Sequence, residues 1–150
     1  MRYFEDIKVG TTRAFGEYHV TKEEIVEFAE QYDPQPFHTD EDAATESAFG
    51  ELVASGWHTA AISMRMLVDN YLQENAGMGG RGADELRWRR PVRPGDTLSV
   101  RATVAGKRRS ESEPRRGYVE NDIEVVNQTD EIVLSYTVTG MIERREHSSE

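Results

Sequence analysis

The chain has 150 residues, enough for one domain of ordinary size with a real core. Its formal net charge of −10 argues against nucleic acid as a partner, because phosphate contacts need a cationic face. It holds no cysteine, which removes disulfides, thiolate nucleophiles and thiolate metal ligands. No window approaches the roughly 18 uninterrupted apolar residues of a membrane span. The opening MRYFEDIKVG lacks the apolar stretch of a secretory signal, so a cytoplasmic protein is expected. The basic residues are mostly arginine, with lysine only at Lys8, Lys22 and Lys107; this fits either a high-salt cytoplasm or a GC-rich genome.

Residues 11–20 alternate roughly and predict a first strand. Thr21 followed by Glu24 reads as a capping box, and Ile25, Phe28, Ala29 and Tyr32 then share one helical face. Pro34 and Pro36 end that helix, since neither has a backbone donor. A short helix is expected from Asp40 to about Glu46. From Trp57 a longer pattern begins, with Trp57, Ala60, Ala61, Met64, Leu67, Val68, Tyr71 and Leu72 at helical spacing. Ile62 and Met66 lie off that stripe, so the helix should be buried on more than one side. Gly77, Gly79, Gly80 and Gly82 read as a flexible connection.

The period then changes to two. Leu86, Trp88 and Arg90 alternate, PVRPGD makes a turn, and strands are predicted around Leu98–Val104, Val119–Val125 and Ile132–Val138. The GKRRSESEPRRG stretch between the first two of these reads as an exposed hairpin connection. One strand, a helical region and a run of antiparallel strands is an α+β order in one domain. A curved sheet around one buried helix fits that order, and other α+β packings remain open.

Two segments carry candidate chemistry. In Tyr32-Asp33-Pro34-Gln35-Pro36-Phe37-His38, two prolines fix the backbone between a carboxylate and an imidazole. Such a pair can move a proton to or from water near neutral pH. The plainer alternative is a helix stop with an ordinary Asp and a surface His. In Ala54-Ser55-Gly56-Trp57-His58, free N–H groups and the positive helix end meet a residue without a side chain. A ligand carbonyl can approach the Gly56 N–H closely. The plainer alternative is a small cap pair that starts a helix.

Other groups are weaker. His58 reads as a packed or capping residue, and His19 and His147 receive no role. A metal site from His38, Asp40 and His58 can be drawn, but no ligand motif supports it. Ser55 and Ser63 lack the G-x-S-x-G elbow of a serine hydrolase. Neither a dinucleotide fingerprint nor a phosphate loop is present.

Taken together, the segments resemble the MaoC-like dehydratases, which include the R-specific enoyl-CoA hydratases. The resemblance rests on Asp33-Pro34-Gln35-Pro36-Phe37-His38, Asp42-Ala43-Ala44, Phe49-Gly50, Val53-Ala54-Ser55-Gly56 and the later Arg90-Pro91-Val92-Arg93-Pro94-Gly95-Asp96. It spans roughly residues 15 to 140. It implies a hot-dog fold, with the helix from about Trp57 to Leu72 inside a curved antiparallel sheet and a core over about 11–142. It also implies a homodimer or larger homo-oligomer, an acyl-CoA thioester substrate, and neither metal nor redox cofactor. By position, Asp33 and His38 take the acid/base places and the Gly56 N–H the oxyanion-donor place. Gln35, Phe37, Ser55 and Trp57, which flank them, are the expected substrate contacts. Three positions depart from the family pattern: Gln35 replaces the usual Asn, Tyr32 a common Gly, and Ser55 a frequent His.

The implied reaction is reversible hydration of a 2-enoyl thioester. One alternative is a hot-dog thioesterase, which needs a carboxylate on or near the central helix, where Asp69 is the nearest. Another is a non-catalytic acyl-CoA-binding or structural subunit.

Overall fold

The computed structural model describes residues 1–145, so His147 lies outside them. Five strands form one antiparallel sheet: β1 (Thr12–His19), β2 (Gly77–Trp88), β3 (Thr97–Arg109), β4 (Arg116–Val126) and β5 (Ile132–Glu143), in the order β1-β3-β4-β5-β2. The period-two alternation explains why one face is buried. Leu98, Val100, Ala102 and Val104 of β3 point the same way as Val119, Ile123 and Val125 of β4. Four helices lie between β1 and β2: α1 (Lys22–Tyr32), α2 (Pro36–Thr39), α3 (Glu41–Thr45) and α4 (Gly56–Asn70). Ile62, Met66 and Leu67 of α4 enter the same core as Ile25 of α1 and the inner residues of the sheet. This is the α+β hot-dog arrangement, a long helix held against one face of an antiparallel sheet.

Several expectations need correction. The Thr21 hydroxyl does accept from the Glu24 N–H, but Glu24 does not complete a capping box. Its carboxylate turns away toward Tyr18 and His58. Tyr32 is exposed, unlike Ile25 and Ala29 of its predicted face. On α4 the side turned into the core is His58, Thr59, Ile62, Ser63, Met66 and Leu67, while Trp57, Met64 and Val68 of the predicted stripe, and Leu72 just past the helix, face outward. The glycine run is not a loose connection but the first half of β2, an exposed edge strand that pairs with β5 through irregular register. Half of the charged GKRRSESEPRRG stretch is likewise strand, since β3 runs to Arg109 and β4 resumes at Arg116.

Candidate active site

Asp33 is the residue at which α1 ends, with its N–H still bonded to Ala29 O. Pro34 blocks continuation, and Pro36 then starts α2, a single turn that the sequence reading missed. That turn swings His38 back under Asp33, so the two side chains meet with His38 Nε2 3.4 Å from Asp33 Oδ2. His38 is buried, and its Nδ1 lies 2.6 Å from Val53 O. A carbonyl only accepts, so Nδ1 carries a proton and Nε2 is the nitrogen free to gain or release one.

The carboxylate is held from three sides. Gln35 Nε2 donates to Asp33 Oδ1 at 2.7 Å, and Ser55 Oγ donates to Asp33 Oδ2 at 2.7 Å. Burial alone would raise the Asp33 pKa, but the Gln35 and Ser55 hydrogen bonds and the His38 charge together hold it below the ordinary carboxylate value. Asp33 therefore stays ionised at neutral pH.

Ser55 precedes the first residue of α4 and makes no side-chain cap; its hydroxyl donates to Asp33 Oδ2 instead. The Gly56 N–H stands at the positive end of a 15-residue helix. The indole of Trp88 lies against Gly56, so closely that a Cβ there would come within 2.4 Å of it. Trp88 also meets Trp57 edge-on at 5.0 Å.

Residues 52–55 are a buried extended run that clasps these parts together. The Val53 N–H bonds Phe37 O, its carbonyl holds His38, the Ala54 N–H bonds Val92 O, and Ser55 holds Asp33.

The result is an open cleft of about 430 Å³. Asp33, Gln35, Phe37, His38, Gly56 and Trp57 all border it, as predicted positions brought together by the fold. Ser55, expected among the ligand contacts, is wholly buried and reaches the cleft only through Asp33. Sequence reasoning missed Trp88, Arg89 and Arg90, which form a further wall. Only strand pairing brings that wall into place, and no local spacing announces it.

The remaining histidines are elsewhere. His58 is buried, stacks on Phe28 at 4.6 Å and puts Nε2 3.2 Å from Glu24 Oε1. Burial holds its pKa below the ordinary value, against the opposing pull of Glu24. It does not converge with His38 and Asp40, and among the described residues no three His, Cys, Asp or Glu side chains are grouped to hold a metal. Asp69, the carboxylate a thioesterase reading needs, is exposed near the far end of α4 and paired with Arg65 at 2.8 Å.

Comparison with known proteins agrees with this architecture. The family model described as "MaoC like domain" matches residues 6–127. The crystal structure of the MaoC-like dehydratase from Rhodospirillum rubrum superposes with a TM-score of 0.88 at 43% identity, covering 96% of this chain and 98% of that one. The 3-hydroxybutyryl-CoA dehydratase of Methylorubrum extorquens is 33% identical over 108 residues, 69% of this chain and 64% of that protein. The (R)-specific enoyl-CoA hydratase of Rhodospirillum rubrum is 31% identical over 111 residues, 71% of this chain and 72% of that protein. The match to Protein MaoC of Klebsiella aerogenes, at 35% identity, spans 31% of that protein's length. A family model that covers most of the chain and a fold shared end to end with a MaoC-like dehydratase place this protein in the MaoC-like domain family.

Proposed function

We propose that the protein is a hydro-lyase that adds water to a 2-enoyl thioester, or removes it from a 3-hydroxyacyl thioester. The observation that carries the proposal is the Asp33–His38 pair, 3.4 Å apart with the free Nε2 facing the carboxylate, beside Gly56 at the start of α4. With Nδ1 donating to Val53 O, His38 Nε2 and the Asp33 carboxylate are the two acceptors offered to one water. A water beside the pair that donates one O–H to each is the nucleophile. Its oxygen bonds to the β-carbon, its proton passes to the pair, and the pair delivers one proton to the α-carbon. The thioester oxygen, as it gains enolate charge, is met by the Gly56 N–H and the helix end. Gln35 and Ser55 position the carboxylate and do not touch the reacting atoms.

The names of the relatives support an acyl-CoA substrate, and so do the arginines at the cleft. Arg89 and Arg90 sit on its rim in an otherwise acidic protein, where a coenzyme's phosphates would pass. An assembly of identical chains is supported by the outward face of α4, where Trp57, Met64 and Val68, and Leu72 just past the helix, are exposed beside Met78 and the unpaired edge of β2. The exposed, Arg65-paired position of Asp69 gives a thioesterase reading nothing to build on.

The test is loss of conjugated enoyl absorbance with a panel of enoyl-CoAs, with free thiol followed in the same cuvette. Wild type should consume the enoyl group without releasing thiol, and Asp33→Asn and His38→Ala should not. Thiol release would instead mark a thioesterase, and undiminished activity in both variants would remove the pair from the mechanism.

A further inference from the structure

A second cavity, of about 230 Å³, lies toward the far end of α4. Its walls are apolar, with Leu67 and Tyr71 from the helix and Ile123, Val138 and Ile142 from the sheet, and it is bordered by Gly77, Gly79 and Gly80 of β2. Two asparagines line it as well, and Asn75 Oδ1 accepts from Arg2 Nε at 2.9 Å. Asn121 stands on the inner face of β4 between Val119 and Ile123, is only 7% exposed, and its Oδ1 has no hydrogen-bond partner. A buried amide oxygen left unpaired is costly, and a valine or leucine would fill the row at no such cost. Asn121 is thus a polar group kept on the wall of an apolar cavity.

This cavity and the catalytic cleft share no lining residue, but both lie along α4 and β2. Gly56, Ala60, Ser63 and Leu67 fall on one face of α4, the first three small. Along the helix, Gly56 to Met64 and Leu67 is 8 to 11 residues, or roughly 12–16 Å at about 1.5 Å each. The sheet gives an independent measure. Trp88, which touches Gly56, pairs with Leu134 and through it with Val125, four positions from Asn121 on β4. Four strand residues span about 13 Å at roughly 3.3 Å each. An extended chain advances about 1.2 Å per bond, a third of the roughly 3.6 Å per residue of backbone, so 13 Å is about eleven bonds. At about 30 Å³ for each small heavy-atom group, the cavity holds roughly seven or eight of them.

We propose that this cavity receives the distal half of an acyl chain of about twelve carbons, and that Asn121 is the specificity residue that recognises a hydroxyl group near the end of that chain. The inference rests on the hydro-lyase reading for its acyl thioester. A hydroxyl both donates and accepts, so it satisfies the amide in either orientation, which a methyl end cannot. The glycines of β2 leave the chain end room that side chains would occupy.

The experiment uses binding that needs no turnover. Dodecanoyl-CoA and 12-hydroxydodecanoyl-CoA are titrated calorimetrically into the full-length protein and into Asn121→Leu, with Asn121→Val as a smaller replacement should Leu crowd the cavity. Wild type should bind the hydroxylated chain about tenfold more tightly than the plain one. Both variants should lose that preference and hold the plain chain at least as well. The same affinity ratio in wild type and variants, as when an internal water satisfies Asn121, would overturn the proposal. Hydration of 2-dodecenoyl-CoA is measured alongside. Hydration without a hydroxyl preference refutes only the Asn121 assignment, whereas the preference without hydration upholds the assignment and refutes the hydro-lyase reading.

Discussion

An alanine at position 56 would place its Cβ 2.4, 2.5 and 2.7 Å from three atoms in the body of the Trp88 indole. Cβ atoms essentially never sit closer than 3.0 Å to such neighbours, so ring or helix must give way by at least 0.6 Å (3.0 − 2.4). The ring cannot move without disturbing its edge-on contact with Trp57 at 5.0 Å. Overpacking of this kind costs about 1–3 kcal/mol. At roughly 2–4 °C per kcal/mol for a chain of this size, Gly56→Ala should lower the melting temperature by about 2–12 °C. The turn that shifts carries the proposed oxyanion donor, and loss of one such donor lowers kcat by about 10²–10³. Melting followed by circular dichroism and turnover followed by enoyl absorbance measure the two effects separately. Trp88→Ala removes the obstacle, so the double variant should melt higher than the sum of the single losses predicts. A Gly56→Ala protein with unchanged melting and rate, or a double variant whose losses simply add, would refute the clash.

Ser55→Ala removes a donor that stabilises ionised Asp33, so the carboxyl should titrate higher and the acid limb of kcat/KM should move to higher pH, with Ser55→Thr restoring it; an unmoved limb would show that the Ser55 hydroxyl does not hold Asp33. His58 is held below its ordinary value of 6.5 by burial, so as pH falls below 6.5 the unfolded chain takes up the proton that the folded one resists. Stability should therefore drop on acidification from that point, and His58→Gln should flatten the fall in melting temperature between about pH 7 and pH 5. Wild type is expected to exceed monomer mass by light scattering, and Met64→Glu together with Val68→Glu, which places charge on the exposed apolar face of α4, should yield monomers.

Much of the fold was legible because it follows from period. The alternation of Leu98 to Val104 and of Ile132 to Val138 could be satisfied only by half-buried strands, and the long run from Trp57 only by a helix. What failed was the assignment of faces. Apolar spacing marks what avoids water, without distinguishing a core from an interface, so Met64 and Val68 read as inward and lie outward. The glycine run was unreadable for a different reason: its strand is imposed by β5 across the ladder, against weak local preference. In the site, Asp33, His38 and Gly56 were legible from nearby residues that restrict the chain. Trp88, Arg89 and Arg90 were not, since they arrive from a strand more than thirty residues later than Gly56.

The buried run at 52–55 has a consequence for how activity is acquired. Its amides and carbonyl reach Phe37, His38 and Val92 at once, so the α2 turn, the start of α4 and the loop before β3 are locked by the same four residues. No subset of these pieces contains the pair and the donor in register. A partly folded chain, however helical, has no reduced version of the site to offer. Competence should emerge in one step with the last docking of the sheet, and refolding followed by turnover should trace the slowest structural phase rather than the formation of helix.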